Sequence, residues 1–296
     1  MFSKIFRAQV IFTILIGINT LACGGSTSTS STMFGVFAIA AGYQHSCAID
    51  DIGIHCWGND ASGQTIAPTD LFNPSVVSLG MSHSCALDDD GVHCWGENES
   101  GQTTVPAILT NAYALASGWD HTCALVDDGV HCWGRNLEGQ TTVPTNLSNP
   151  FDIAAGGDHT CALDDNGVRC WGVNLYGETI APSNLADPWA IATSTGHTCV
   201  LDDSGVRCWG NNADGQITDP AGLVNPSAIA TGGKHTCALD GSSVICWGNN
   251  DYGQSTVPSD LVNPSAISAG DLHTCALDDN GVRCWGSNEN GQTTVP

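Results

Sequence analysis

Basic residues are scarce in this chain: 7 Lys and Arg stand against 30 Asp and Glu among 296 residues, a formal net charge of −23. Lys4 and Arg7 lie in an N-terminal stretch that reads as removable, and setting them aside leaves five basic residues and a net of −25. Such a polyanion has little with which to displace counterions from phosphates, so nucleic-acid binding on a basic face is excluded. Anionic membrane surfaces are disfavoured for the same reason. A bilayer-spanning apolar run is also missing, since the stretch from Val10 to Ile18 is too short to cross as a stable helix. What the chain has in excess is cysteine, 15 residues, more than a reducing cytosol leaves unpaired. The choice is between a disulfide framework and metal sites.

The first 22 residues read as a signal peptide, with a positive start at Lys4 and Arg7 and the apolar run behind it. Ala22-Cys23 resembles the processing site of a bacterial lipoprotein, in which the cysteine is acylated and becomes the mature N-terminus; Thr20 stands where such signals usually carry Leu. Residues 23–33, rich in Gly, Ser and Thr, read as a flexible tether. The expected location is outside the cytoplasm, at the outer membrane or cell surface as a lipoprotein lipidated on Cys23, otherwise secreted or periplasmic. Membrane contact is then limited to the N-terminal lipid anchor.

Repeats dominate residues 34–296. Cysteines recur at Cys47, Cys85, Cys123, Cys161, Cys199, Cys237 and Cys275, and again at Cys56, Cys94, Cys132, Cys170, Cys208, Cys246 and Cys284, both series with a period of 38. His45 to His273 and the Trp-Gly pairs from Trp57 to Trp285 keep the same step. Seven tandem units without insertions leave no room between them for a second domain. In the second unit, Val76 to Leu79, His83 to Leu87, Val92 to Trp95 and Gln102 to Val105 read as four short strands separated by turn residues. The fold expected is all-β: a seven-bladed β-propeller of four-stranded antiparallel blades. An open solenoid is the alternative, disfavoured because neither end shows a capping repeat.

The recurring pattern, seen as Ala154-Ala155-Gly156-Gly157-Asp158-His159-Thr160-Cys161-Ala162-Leu163, Asp165-Asn166-Gly167-Val168 and Cys170-Trp171-Gly172, resembles the regulator of chromosome condensation repeat. Endings such as Gly101-Gln102-Thr103-Thr104-Val105-Pro106 are similar to its bacterial exported branch, which includes a propeller-type β-lactamase inhibitory protein. The resemblance implies a seven-bladed propeller but fixes no function, because members range from nucleotide exchange to light sensing to enzyme inhibition. Export and the acidic balance argue against nuclear and chromatin partners.

If the turn occupies Asp88 to Gly91, then Leu87 faces Val92, Ala86 faces His93 and Cys85 faces Cys94. This register keeps the apolar columns on one face and puts each cysteine pair within disulfide reach. Seven intra-blade bridges follow, from Cys47–Cys56 to Cys275–Cys284. Zinc on His83, Cys85 and Cys94 is the competing reading, weakened because no fourth ligand recurs; calcium in the Asp-rich turns stays open. No metal and no cofactor is expected. The recurring histidine reads as a structural hydrogen-bonding group and the tryptophan as blade-to-blade packing.

Strand direction sorts the loops onto two faces. The Asp turns and proline linkers share one, where they are expected to form a band of carboxylates. The other carries tips that vary on a monotonous scaffold, and candidate partner-binding residues are Tyr43, Gln44, Met81, Trp119, Asp120, Tyr176, Lys234, Tyr252 and Leu272. The function expected is an exported, membrane-anchored and monomeric interaction module that binds a protein or glycan through these tips. An inhibitor of an exported enzyme is the alternative. An enzyme with a central-pocket site ranks lower, since no nucleophile-base pair or acid dyad stands apart from the repeat.

Overall fold

The structure is a computed structural model that describes residues 35–296; the expected signal peptide, the tether and Cys23 lie outside the described residues. Among the described residues there are strands and no helix. The second unit shows the plan: three strands, Val76–Leu79, His83–Asp88 and Gly91–Gly96, form one antiparallel sheet in that order. The register is the expected one, with Cys85 opposite Cys94, Ala86 opposite His93 and Leu87 opposite Val92.

Each unit has three strands where four were expected. The segment read as a fourth strand, Gln102 to Val105, is a turn. Its backbone is engaged elsewhere: the Gln102 carbonyl accepts from Thr122 Oγ1 at 3.0 Å and from Trp133 Nε1 at 2.9 Å, both in the next unit. A carbonyl held by two side chains of a neighbour does not build a ladder with its own sheet.

The middle strand is buried along its whole length because both faces are covered. In the fourth unit, Cys161 and Leu163 pack with Ile191, Val200 and Trp209 of the fifth. Fully burying a leucine such as Leu163 stabilises by about 2 kcal/mol, and here the burial is against the next unit. The seven sheets stay separate, and the seventh meets the first: Ala48 and Trp57 pack with Leu277 and Val282. The seam has the same polar bonds as every other junction, with Ser46 Oγ and Trp57 Nε1 donating to the Gln292 carbonyl.

Candidate functional site

All fourteen cysteines of the repeats form disulfides within their own units, Cys47–Cys56, Cys85–Cys94, Cys123–Cys132, Cys161–Cys170, Cys199–Cys208, Cys237–Cys246 and Cys275–Cys284. Sulfurs bonded to each other are not thiolate ligands, which removes the zinc reading of His83 with Cys85 and Cys94. Seven such bonds fit an oxidising, extracellular environment.

The repeated histidines form a buried circuit. Nε2 of His83 lies 2.9 Å from Thr122 Oγ1 in the next unit. That hydroxyl spends its only proton on the Gln102 carbonyl, so the imidazole must donate from Nε2 and is neutral with a bare Nδ1. The bond recurs from unit to unit and closes with His273 on Ser46. Burial holds every ring far below the ordinary histidine range: His45, His159 and His235 at about 4, and His83, His121, His197 and His273 at about 3. Room for the ring depends on a glycine three residues earlier, since a Cβ on Gly80 would lie 2.2 Å from His83 Cε1 and 2.4 Å from the Gly118 carbonyl oxygen.

The fifth unit has Ser194 at this glycine position, and its Oγ lies 2.8 Å from Nδ1 of His197. This is a serine–histidine pair that the reading of the sequence did not find, because repeat periodicity had absorbed the histidine. It satisfies an acceptor and provides little general base: a ring held at about 3 has small affinity for a serine proton near neutrality.

The variable tips surround one end of the ring axis. Tyr43, Trp119, Gly157, Thr195, Gly233 and Asp271 line a mouth of about 110 Å³. Backbone bonds between units fix it, among them Tyr43 N–H to the Gly80 carbonyl, Trp119 to Gly157 and Asp271 to Gly42. The second tip position holds the loop after the third strand, as where the carbonyls of Gln44, Asp120, Lys234 and Leu272 accept from Asn59, Arg135, Asn249 and Ser287. Tyr43 and Trp119 are thus brought together at the mouth, while Gln44, Met81, Asp120, Lys234 and Leu272 belong to the tips around it. Tyr176 and Tyr252 stand on the loops after the third strands, both exposed. Leu137 and Leu175, each 79% exposed on those same loops, were overlooked although they occupy a position as variable as the tips.

Charges on this face are modest. Arg135 Nη1 lies 3.7 Å from Asp120 and 3.5 Å from Asp158. Burial pushes Asp271 up to about 6, against the pull of Lys234, and the Asp271 carboxylate in turn raises Tyr43. On the opposite face the expected band of carboxylates is thinner than its composition implies. Asp50, Asp88, Asp164, Asp202 and Asp278 turn inward and are buried. Asp88 accepts from the backbone of Phe72, Asp90 and Gly91 and from His93 Nε2, clasping linker and turn together.

Comparison with known proteins gives the same architecture. The family model for the regulator of chromosome condensation (RCC1) repeat matches residues 38–64, 76–102, 113–140, 152–178, 190–216, 227–254 and 265–292. No curated protein matches the chain. Among solved structures, the ectodomain of the Physcomitrella patens receptor kinase CR4 is similar with 25% identity and a TM-score of 0.72, covering 85% of this chain and 74% of that one. The CRINKLY WD40 ectodomain of the Arabidopsis thaliana receptor kinase ACR4 has 24% identity and a TM-score of 0.70 over 86% of this chain and 97% of its own. Prp20p from Saccharomyces cerevisiae, described with its binding to Gsp1p and histones, has 18% identity and a TM-score of 0.67 over 80% of each chain.

Proposed function

Because the chain belongs to the regulator of chromosome condensation (RCC1) repeat family, we propose that it is a protein-interaction module whose docking surface is the tip face. The observation that carries this is the contrast at the channel mouth between a hydrogen-bonded backbone that recurs from unit to unit and the side chains it presents, Tyr43, Trp119, Thr195 and Asp271 among them. A rigid frame with differing contacts at equivalent places lowers the ordering cost of binding and lets each tip be tuned separately. Trp119 and Tyr43 offer the aromatic area that dominates interface energies. Gln44, Met81, Asp120, Tyr176, Lys234, Tyr252 and Leu272 complete the proposed surface, with Leu137 and Leu175 added to it.

Export and anchoring through Cys23 form part of the proposal. In support, the fourteen repeat cysteines are consumed by disulfides, which leaves Cys23 as the one cysteine outside the framework. Two of the similar structures are receptor ectodomains, which fits an extracytoplasmic setting.

A photo-crosslinking side chain placed at Trp119, and separately at Asp165 on the opposite face, tests the docking surface on intact cells. The expected result is a discrete protein adduct from the tip position and none from the turn position. Adducts from the turn position alone would overturn the choice of face, and a glycan adduct the choice of partner. Cys23→Ser should release the protein from membranes, or block its processing.

A further inference from the structure

The linker between the fifth and sixth units departs from the others, and a cavity lies where its departures meet. At the position held by Ala67, Val105, Val143, Ala181, Val257 and Val295 in the other linkers and the final turn, it carries Asp219. The apolar residues pack against a neighbouring sheet, as Val105 and Val257 do. Asp219 is exposed, because a carboxylate placed there would be buried unpaired.

The clasp between linker and turn is built differently at the same place: Asp240 accepts from the N–H groups of Val224 and Asn225, and Gly241 N–H donates to the Asn225 carbonyl. In four of the other units an asparagine in the left-handed conformation bonds an Asp of the hairpin: Asn73–Asp89, Asn111–Asp127, Asn149–Asp165 and Asn263–Asp279. Gly241 stands where that Asp would be, and the positive φ moves from the asparagine to Gly222. Side-chain volume is also small here: two adjacent units, with Ser227 and Ser265, carry serine as Ser75 does, at the position of Tyr113, Phe151 and Trp189.

The space left is about 940 Å³ and reaches from this linker to the inner strands Ala190–Thr193, Pro226–Thr231 and Ala266–Ala269. Trp189, Leu223 and Ile267 supply apolar wall, and no Lys or Arg lines it. Asp152 does line it, in an inner strand where the other six units have Ala or Val. Its Oδ1 accepts from Ile153 N–H at 2.9 Å and its Oδ2 from Ile191 N–H at 3.1 Å. Each oxygen keeps a further acceptor direction. Burial raises this carboxyl to about 7, the mark of a charge with no counter-ion beside it.

We propose that this cavity binds a small organic cation with an apolar body, its ammonium head at Asp152 and its hydrocarbon part against Trp189 and Leu223. Asp219 at the edge adds to the field that draws the cation in. A metal ion is the poorer fit, because among the described residues no three His, Cys, Asp or Glu side chains are grouped to hold one. The site lies on the face opposite the tips and does not depend on the docking reading.

The test uses the oxidised, folded protein and benzyltrimethylammonium, whose charge does not titrate, with neopentylbenzene as its neutral isostere. Binding is followed by NMR at the Trp189 indole N–H, assigned with Trp189→Phe, in physiological salt so that the general acidity of the surface is screened. The expected result is a saturable shift, weakened roughly tenfold or more for the neutral isostere and for Asp152→Asn. Asp219→Val, which restores the apolar anchor of the other linkers and leaves Asp152 in place, should weaken it as well. A shift that does not saturate, equal binding of the isostere, or binding unchanged in both variants would overturn the proposal. If Asp152→Asn does not fold, Asp219→Val alone decides.

Discussion

Ser194 Oγ donates to Nδ1 of His197 across 2.8 Å, and Nδ1 of the other six repeated histidines has no such partner. One unit therefore solves with a hydroxyl what the others leave open. Ser194→Gly should cost about 1 kcal/mol, the net value of one buried hydrogen bond. The reverse exchange is far worse: on Gly118 a Cβ would sit 2.2 Å from His121 Cε1 and 2.4 Å from the Gly156 carbonyl oxygen, so Gly118→Ser should cost about 3 kcal/mol or more. Urea unfolding of the two variants measures the asymmetry.

Acid should unfold the ring before it protonates the surface carboxylates. The seven buried histidines have folded pKa values of about 3 to 4 against 6.5 when free. The unfolded chain thus takes up protons first as the pH falls. Stability is complete above the free value and declines below it, by about 2 kcal/mol per histidine at pH 5. Asp152, raised to about 7, opposes this, since it holds its proton in the folded state and gains stability on acidification; one group does not offset seven. Tryptophan fluorescence against pH should show a steep transition between about pH 6 and 4, and a ring still folded at pH 3 would contradict it.

Single disulfides should be dispensable and their sum should not be. Each closes a hairpin of nine-residue separation, worth at most about 2.7 kcal/mol by loop entropy. Replacing Cys85 and Cys94 together by Ala should lower the melting temperature by a few degrees. All seven together are worth up to about 19 kcal/mol, against the roughly 5–15 kcal/mol that holds a domain folded. Far-ultraviolet circular dichroism under strong reductant should therefore report an unfolded chain.

Neighbouring aspartates of one turn should behave oppositely. Burial alone would raise Asp88, but the N–H groups of Phe72, Asp90 and Gly91 with His93 outweigh it and leave its pKa below the usual carboxylate value. A group depressed in this way stabilises above its free pKa and loses that contribution as the pH falls through the folded value. Asp88→Ala leaves three backbone donors without their acceptor and should cost about 2–3 kcal/mol. Asp90→Ala, on an exposed side chain, should change stability by less than about 0.5 kcal/mol. Thermal unfolding at neutral pH distinguishes the two.

The repeat period and the Cys85–Cys94 register were legible because a strand alternates its faces and one shift would have sent the two sulfurs apart. The Gln102 segment misled because β-branched Thr103 and Thr104 suit a strand, whereas what decides its shape is the demand of Thr122 and Trp133 for one carbonyl. That demand comes from the next unit and has no local signature. The inward turn of Asp88 was hidden for a related reason: Asp88, Asp89 and Asp90 look alike in sequence, and only the linker placed beside them by the fold selects which one is buried. At the tips, variability drew attention to Trp119 at the mouth and not to Leu137 on the loops after the third strands, although both positions vary.

Since Gln292 offers its carbonyl to Ser46 and Trp57 as Gln64 does to Ser84 and Trp95, the junction that chain connectivity skips is chemically equivalent to the six it joins. Covalent order is then a matter of where the thread was cut. A chain rejoined from Pro296 to Val36 through five residues, the number between Pro68 and Pro74 in the first linker, and opened before Ser75 would have every blade in the same company.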